Sequence, residues 1–174
     1  GNPPYSVNEN TVRYPSLDQR LAETYAARSS ATMLNGLYDS YVRAIRWASD
    51  RVGKNGIVGF VTNAGFIDAN MADGLRRCLV DEFSSLYVFH LRGNQRTAGE
   101  LSRREGGKIF GSGSRAPVAI SILLKNPEAK NTGQLFFRDI GDYLSREEKL
   151  EAISHLHDIG RMSDLWQRVV PDEF

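Results

Sequence analysis

Apolar residues recur along the chain in two patterns, and these predict most of the secondary structure. A stripe at spacings of three and four residues predicts an amphipathic helix over 35–52. That stripe consists of Leu37, Tyr41, Ile45, Ala48 and Val52. Shorter stripes predict helices over 17–30 and 69–83, and Ser145 followed by Glu148 is a capping box that begins a last helix.

Four runs of strand length predict a sheet. They cover 57–62, 85–91, 117–125 and 134–140. The first run, IVGFVT, is apolar without a break, which is typical of a strand buried on both faces. Strand, helix, strand, long loop, strand is the order of an α/β domain. Residues 1–15 are expected to form an irregular loop, and 161–174 a short helix or coil.

Composition places the chain among globular proteins and decides little about function. Hydrophobic residues make up 41% of its 174 residues, and the net charge of +1 means that any basic surface must be local. The single cysteine, Cys78, is expected to pack as a small hydrophobic side chain. The sequence contains neither an apolar run of membrane-spanning length nor a signal-peptide pattern, so we expect a cytoplasmic protein with no membrane partner. The three histidines lack the spacing of a metal site, and no metal is expected.

The segment between the second and third predicted strands, residues 92–116, is polar, glycine-rich and basic, and we call it the basic loop. It carries six positive residues against the acidic pair Glu100 and Glu105: Arg92, Arg96, Arg103, Arg104, Lys108 and Arg115. Loops of this length in compact domains are usually functional or disordered. The functional interpretation is contact with DNA phosphates, with part of the loop mobile in the free protein. The alternative is a solvated surface loop.

The first residues carry the most specific motif. Asn2-Pro3-Pro4-Tyr5 resembles the catalytic signature of amino-methyltransferases, and the alternative is a polyproline turn. The exocyclic amine of adenine is a poor nucleophile because its lone pair is delocalised into the ring. Hydrogen bonds from that amine to the Asn2 side-chain oxygen and the Pro3 carbonyl favour a pyramidal nitrogen, and they strengthen as positive charge develops. The two prolines stiffen the loop, and Tyr5 offers a flat face to a base taken out of the duplex.

The resemblance extends beyond this motif. Four further spans are similar to the methyltransferase region of large single-polypeptide restriction–modification enzymes of the Type ISP kind: GIVGFVTNAGFIDANMADGLRRCLVDEF, LRGNQRTAGE, GGKIFGSGSRAPVAISILLKNP and DIGDYLSREEKL. Enzymes of that family join a nuclease, a helicase-like ATPase, a methyltransferase and a target-recognition domain. The resemblance therefore implies methyl transfer from S-adenosylmethionine to the N6 amine of a flipped adenine in double-stranded DNA, with those neighbouring domains as partners.

The same resemblance implies an architecture. The fold class would be α/β, the C-terminal half of a Rossmann-like S-adenosylmethionine-dependent methyltransferase, with a partial mixed sheet and flanking helices. Residues 1–140 would belong to the catalytic domain, and 141–174 would be a helical extension leading to a downstream domain. No predicted strand leads through a Gly-x-Gly turn into a helix, so the cofactor-binding half is expected upstream of Gly1. The chain alone should then bind S-adenosylmethionine weakly or not at all.

Phe110 is a further candidate for the substrate site. In adenine methyltransferases, an aromatic residue before the strand that follows the long loop helps to hold the flipped base, and Phe110 is similar in position. The alternative is that Phe110 anchors the loop on the core.

Two other functions stay open. Protein-glutamine methyltransferases share Asn-Pro-Pro-Tyr, although the basic loop and the later spans favour DNA. A non-catalytic DNA-binding or assembly module would keep the motif as structure only. If the strand before the motif is missing, 57–62 is an unprotected sheet edge, and the isolated chain is expected to self-associate.

Overall fold

The computed structural model describes residues 1–4, 13–111, 114–156, 158–159 and 164–170. Within these residues lie α-helices α1 (Pro15–Leu21), α2 (Ser40–Arg51), α3 (Asp73–Glu82), α4 (Gly99–Glu105) and α5 (Arg146–Ser154). The strands are β1 (Gly56–Asn63), β2 (Ser85–Arg92), β3 (Val118–Lys125), β4 (Gln134–Asp139) and β5 (Gln167–Val169). The four strands that the apolar runs predict are all present, which confirms the α/β class.

The strands form one mixed sheet in the order β1-β3-β2-β4-β5. β2 and β4 are parallel, whereas β3 runs antiparallel to both β1 and β2. β1, β2 and β4 therefore point the same way, and their last residues lie at one end of the sheet. We call this the carboxyl end of the sheet. Asn63 and Arg92 both pair there with Val118, the first residue of β3.

The main hydrophobic core lies on one face of the sheet. Side chains that alternate along β2 and β3 point to that face and pack with α2 and α3, among them Leu86, Val88 and Leu123. The other face carries a smaller cluster of Phe89, Leu91, Ile109 and Val118. Ile153 of α5 packs against this second cluster, so the helices cover both faces of the central strands.

The expectation that β1 is buried on both faces is wrong. Val58 and Thr62 are buried, but Ile57 on the other face is 67% exposed. β1 lies at the edge of the sheet, where Val61 on the second face packs against the smaller cluster but Ile57 is left uncovered. The edge itself is partly paired, because Gly1 forms hydrogen bonds with it. Self-association of the chain stays a prediction.

The predicted helices begin and end close to their expected bounds, with local breaks. α1 starts at Pro15 and continues as one wider turn, Ala22–Ala26. The predicted helix over 35–52 is divided at Asp39, whose extended backbone and side chain cap the first turn of α2 by accepting from the Tyr41 N–H. The capping box of Ser145 and Glu148 is confirmed at the start of α5.

Two segments differ from expectation. Gln167–Val169 in the tail was expected to be helix or coil and instead pairs with β4 as the short strand β5. Three residues with side chains at period two can extend an existing sheet edge even where the local pattern is weak. The basic loop contains a helix, α4, and is not irregular throughout. No helix in the described part of the chain combines the length and apolarity needed to cross a membrane.

Candidate functional site at the carboxyl end of the sheet

Loops that follow β1, β2 and β4 all leave the sheet at its carboxyl end. They comprise residues 64–72, 93–117 and 140–145. Ligands of open α/β sheets bind in the crevice outside the carboxyl ends of parallel strands, because the loops there can approach one another. The fold therefore brings the basic loop to the end of the sheet where a ligand is expected.

The Asn-Pro-Pro segment reaches the same end through Gly1. The Gly1 nitrogen donates to the Gly59 carbonyl at 2.7 Å, and the Val61 N–H donates to the Gly1 carbonyl at 2.9 Å. These two bonds on either side of Phe60 are the pattern of a parallel pair, so the chain after Gly1 runs toward the carboxyl end. A Cβ on Gly1 would lie 3.0 Å from the Phe60 ring, which shows how closely the two segments approach.

The three residues of the motif that the structure describes are at least partly exposed. Asn2 and Pro4 are exposed, and Pro3 is partly buried. Tyr5 lies outside the described residues. The Asn2 side chain can therefore meet a ligand at the carboxyl end of the sheet. Strands lie ~4.8 Å apart, so Gly1 is separated from β2 by about 14 Å, or three strand spacings, measured across the sheet. Gly1 is level with Val88 in the middle of β2, because Phe60 and Val88 both pair with Ser121.

The cations of the basic loop divide into exposed and anchored groups. Arg96, Arg103, Arg104 and Arg115 are exposed, and Lys108 is partly buried. Arg103 pairs with Glu100 at 2.6 Å within α4, and such surface pairs leave the guanidinium free to exchange partners. The Arg115 side chain donates to the Gln95 carbonyl at 2.6 Å, which joins the two ends of the loop.

Arg92 is the anchored member. Its Nε donates to both Asp139 oxygens, at 2.8 and 2.9 Å, and another of its nitrogens donates to Asp142. Asp142 also accepts from Arg104 at 2.8 Å. Arg92 has a φ of 56°, and a positive φ in a non-glycine residue costs backbone energy that such a network can offset. The structure therefore shows that Arg92 anchors the start of the basic loop.

Asp139 is the centre of this network. Burial alone would raise the pKa of its carboxyl, but hydrogen bonds from His90, from Arg92 and from the Gly141 N–H outweigh burial. The pKa of Asp139 is therefore held well below its usual range, and the residue stays ionised at neutral pH. His90 lies 3.4 Å from Asp139 through Nδ1.

Sequence reasoning missed the residues that hold the basic loop. Asp139, Asp142 and Lys149 come from β4, the turn after it and α5, far from the loop in sequence. Their signal is the span DIGDYLSREEKL, which resembles the same family as the loop but suggests no role for its acidic residues. Tyr143 in this span has a φ of 65° and donates through its hydroxyl to Glu100 at 2.6 Å.

Phe110 is partly buried and packs against the second hydrophobic cluster. This is the environment that a loop anchor requires, although the residue keeps part of its surface exposed. A cavity of about 240 Å³ lies on the face of the sheet that carries the second cluster, with Tyr87, Ile120 and Trp166 in its lining. Its walls are mainly apolar, so it lacks the convergent polar groups of a catalytic site.

Among the described residues, no group of three or more His, Cys, Asp or Glu side chains has the arrangement of a metal site. Cys78 is buried in α3, and burial raises the pKa of its thiol, as expected for a packing residue.

Comparison with known proteins gives structural matches only. No protein-family model and no curated protein matches the chain. A nuclease-deletion mutant of the Type ISP restriction–modification enzyme LlaGI, in complex with a DNA substrate mimic, is 47% identical with a TM-score of 0.92, over 99% of this chain and 17% of that chain. The ATP-dependent Type ISP enzyme LlaBIII bound to DNA is 37% identical with a TM-score of 0.91, over 98% of this chain and 12% of that chain.

A third match is the DrdV–DNA complex. It is 34% identical with a TM-score of 0.90, over 99% of this chain and 17% of that chain. Identities of 34–47% over nearly the whole chain show homology to a segment of Type ISP restriction–modification enzymes. The chain spans between 12 and 17% of the length of the chains it matches.

Proposed function

We infer that this homologue of a Type ISP enzyme segment is the part of an adenine-N6 DNA methyltransferase that carries the catalytic loop and a DNA-backbone contact surface. The observation that carries this proposal is the parallel pairing of Gly1 with β1. That pairing directs Asn2 and Pro3 to the end of the sheet from which the basic loop also emerges. Homology to enzymes bound to DNA supports a DNA substrate.

The chain's own residues act on the amine of the base. The Asn2 amide oxygen and the Pro3 carbonyl accept hydrogen bonds from its two hydrogens and draw the nitrogen lone pair out of the ring plane. These acceptors gain strength as the nitrogen becomes positive, so they favour the transition state over the bound base. The two prolines stiffen the segment, so these acceptors are in place before the base arrives.

S-adenosylmethionine would supply the methyl group. Among the described residues, no strand leads through a Gly-x-Gly turn into a helix, so we assign no cofactor-binding residue in this chain. Isothermal titration of the 174-residue chain should therefore show weak or no binding of S-adenosylmethionine. Micromolar affinity would mean that the described fold holds the cofactor at a site we do not recognise.

The basic loop contacts DNA phosphates beside the target base. Each strand of a duplex presents a phosphate every ~3.4 Å of helix axis, so the separation of about 14 Å across the sheet corresponds to roughly four base pairs. Arg96, Arg103, Arg104, Lys108 and Arg115 supply the positive charge. They contact the backbone and therefore contribute affinity rather than sequence choice.

Product analysis of the full-length polypeptide, meaning the proposed methyltransferase that includes this chain, tests this function. Incubation with duplex DNA and labelled S-adenosylmethionine should yield N6-methyladenine after hydrolysis of the DNA to nucleosides. Label in a protein glutamine, with none in DNA, would favour the glutamine methyltransferase. DNA binding without any transfer, in a polypeptide that binds the cofactor, would favour a non-catalytic module.

A further inference from the structure

Lys149 of α5 is a buried charged residue that the proposed chemistry does not use. Its side chain is fully shielded from solvent, and its Nζ donates to the main-chain carbonyls of Glu105 and Gly107, each at 2.7 Å. Carbonyls at the last turn of a helix lack helical donors, and here Lys149 supplies one to the end of α4. Loss of this lysine alone would remove a donor from both carbonyls, so the contact links the end of α4 to α5.

Two glycines bring the basic loop against the start of α5. A Cβ on Gly106 would lie 2.1 Å from the Leu144 carbonyl oxygen, and one on Gly107 would lie 2.4 Å from the Arg146 nitrogen. The Gly107 N–H donates to that Leu144 carbonyl at 2.9 Å. Gly106 also has a φ of +67°, which L side chains rarely adopt. The main chain of the loop therefore contacts the main chain of residues 144–146, next to the carbonyls that Lys149 binds.

We propose that Lys149 is a positioning residue, which fixes the main chain of the basic loop so that Arg103 and Arg104 meet DNA phosphates in a preset arrangement. The inference rests on the proposed function of the loop. Both arginines lie in the last turn of α4, directly before Glu105, whose carbonyl Lys149 binds. Without that contact the turn would have to be ordered when DNA binds, and this ordering lowers affinity.

The ionisation of Lys149 offers a second readout. The charged groups that face it are Glu105 of α4, Arg92 of β2 and Asp139 of β4. Burial, only partly offset by Glu105, lowers the pKa of Lys149 to about 8. The neutral amine makes weaker hydrogen bonds to carbonyls than the ammonium does. The DNA affinity of the wild type should therefore fall more between pH 7 and pH 9 than that of a variant without this lysine.

The test uses the full-length polypeptide and three variants. Lys149→Met removes the ammonium with little change of shape. Arg146→Met removes a second donor to the loop, because Arg146 Nε donates to the Ile109 carbonyl at 2.9 Å and its side chain is 47% exposed. Lys125→Met is the matched control, because Lys125 donates to the Ser49 carbonyl at 2.8 Å at the opposite end of the sheet.

Amide hydrogen exchange and affinity for a nonspecific duplex are measured in parallel. Lys149→Met should raise exchange over residues 103–109 by about tenfold or more and weaken DNA binding by roughly three- to tenfold. Arg146→Met should act in the same direction with smaller effects, and Lys125→Met should change neither. If Lys149→Met does not fold, Arg146→Met decides, because its side chain lies outside the core.

The outcomes separate this inference from the proposed function. Unchanged exchange and unchanged affinity in both loop variants overturn the positioning role. If Arg103→Ala, Arg104→Ala and Lys108→Ala together weaken DNA binding but Lys149→Met and Arg146→Met do not, only the positioning role fails. If that triple variant binds DNA normally while Lys149→Met loosens the loop, the DNA contact itself is wrong and the positioning role falls with it.

Discussion

The Asn-Pro-Pro segment and the basic loop leave the same end of the sheet, but different contacts hold them. Gly1 joins the first to β1 through two main-chain hydrogen bonds, and Asn2 beyond it is exposed. The basic loop contains a helix and is tied to β4, to the turn after it and to α5 by ion pairs and by Lys149.

This contrast matches the two proposed tasks. Phosphates recur at fixed positions along a duplex, so a cationic surface that is ordered before binding loses less conformational entropy. A group that accepts hydrogen bonds from a flipped base must instead be reachable, and it acts mainly as charge develops in the transition state. Variants in the two segments should therefore separate turnover from DNA affinity.

The largest effect is expected from Asn2→Ala in the full-length polypeptide. Loss of one preset acceptor should lower the rate of methyl transfer by about 100- to 1,000-fold, while DNA affinity stays within about twofold. Single-turnover methylation and duplex binding measure the two quantities. Asn131→Ala, at an exposed position before β4, is the control. Near-normal turnover in Asn2→Ala would rule out the assigned chemistry.

The next effect concerns the charge of the basic loop. Replacing Arg103, Arg104 and Lys108 with Ala should weaken binding to all duplex sequences and reduce the slope of log affinity against log salt by about 2 to 3, at roughly 0.9 per phosphate contact. Binding titrations at several salt concentrations give the slope.

A matched charge deletion at the other end of the sheet is the control for that variant. Arg51, Lys54 and Lys130 are exposed near the amino end of β1 and before β4. Their replacement with Ala removes the same charge and should leave the salt slope nearly unchanged. Equal slopes in the two triple variants would show that net charge, and not the loop, determines DNA affinity.

Phe110 tests whether a residue of the basic loop also takes part in binding the flipped base. Because its ring packs against the second hydrophobic cluster, Phe110→Ala should lower the free energy of unfolding by about 1–3 kcal/mol, less than for a fully buried ring. Urea denaturation measures this loss, with Tyr14→Ala at a 51% exposed position as control. Phe110→Leu, with the packing largely kept, should then show whether capture of a fluorescent adenine analogue needs the aromatic ring.

The smallest effect is the pH dependence that Lys149 gives to the free energy of unfolding. Burial lowers its pKa to about 8 from the ordinary 10.5, so the native state releases the proton before the unfolded chain does. The unfolded chain binds more protons through that window, and the stability contribution of this group rises with pH. Below the lowered pKa the penalty of burying the charge is fully present.

Urea unfolding at pH 7 and pH 9 measures this dependence. The stability of the wild type relative to Lys149→Met should increase by about 1 kcal/mol across that interval. Lys130→Met, at an exposed position, gives the reference. A constant difference between wild type and Lys149→Met would mean that the ammonium is better solvated than its burial indicates.

The sheet and the main helices follow from local pattern. The stripe from Leu37 to Val52 and the four apolar runs are sufficient to predict α2 and β1 to β4, because burial of one helix face or of a strand dominates the local free energy. The tail is harder to predict. Gln167–Val169 has little pattern of its own, and its pairing with β4 depends on a sheet edge elsewhere in the chain.

Residue type and order along the chain are enough to identify the available chemistry: the acceptors at Asn2 and Pro3, and the excess of positive charge between β2 and β3. The arrangement of those groups depends on how the chain folds. Parallel pairing of Gly1 with β1 sends the motif to the carboxyl end of the sheet. Asp139 and Asp142 anchor Arg92, and Lys149 binds the main chain of the basic loop. Contacts between residues about 40 to 60 positions apart leave no periodic signal in a sequence, because they depend on the register of a sheet and not on the spacing of neighbours.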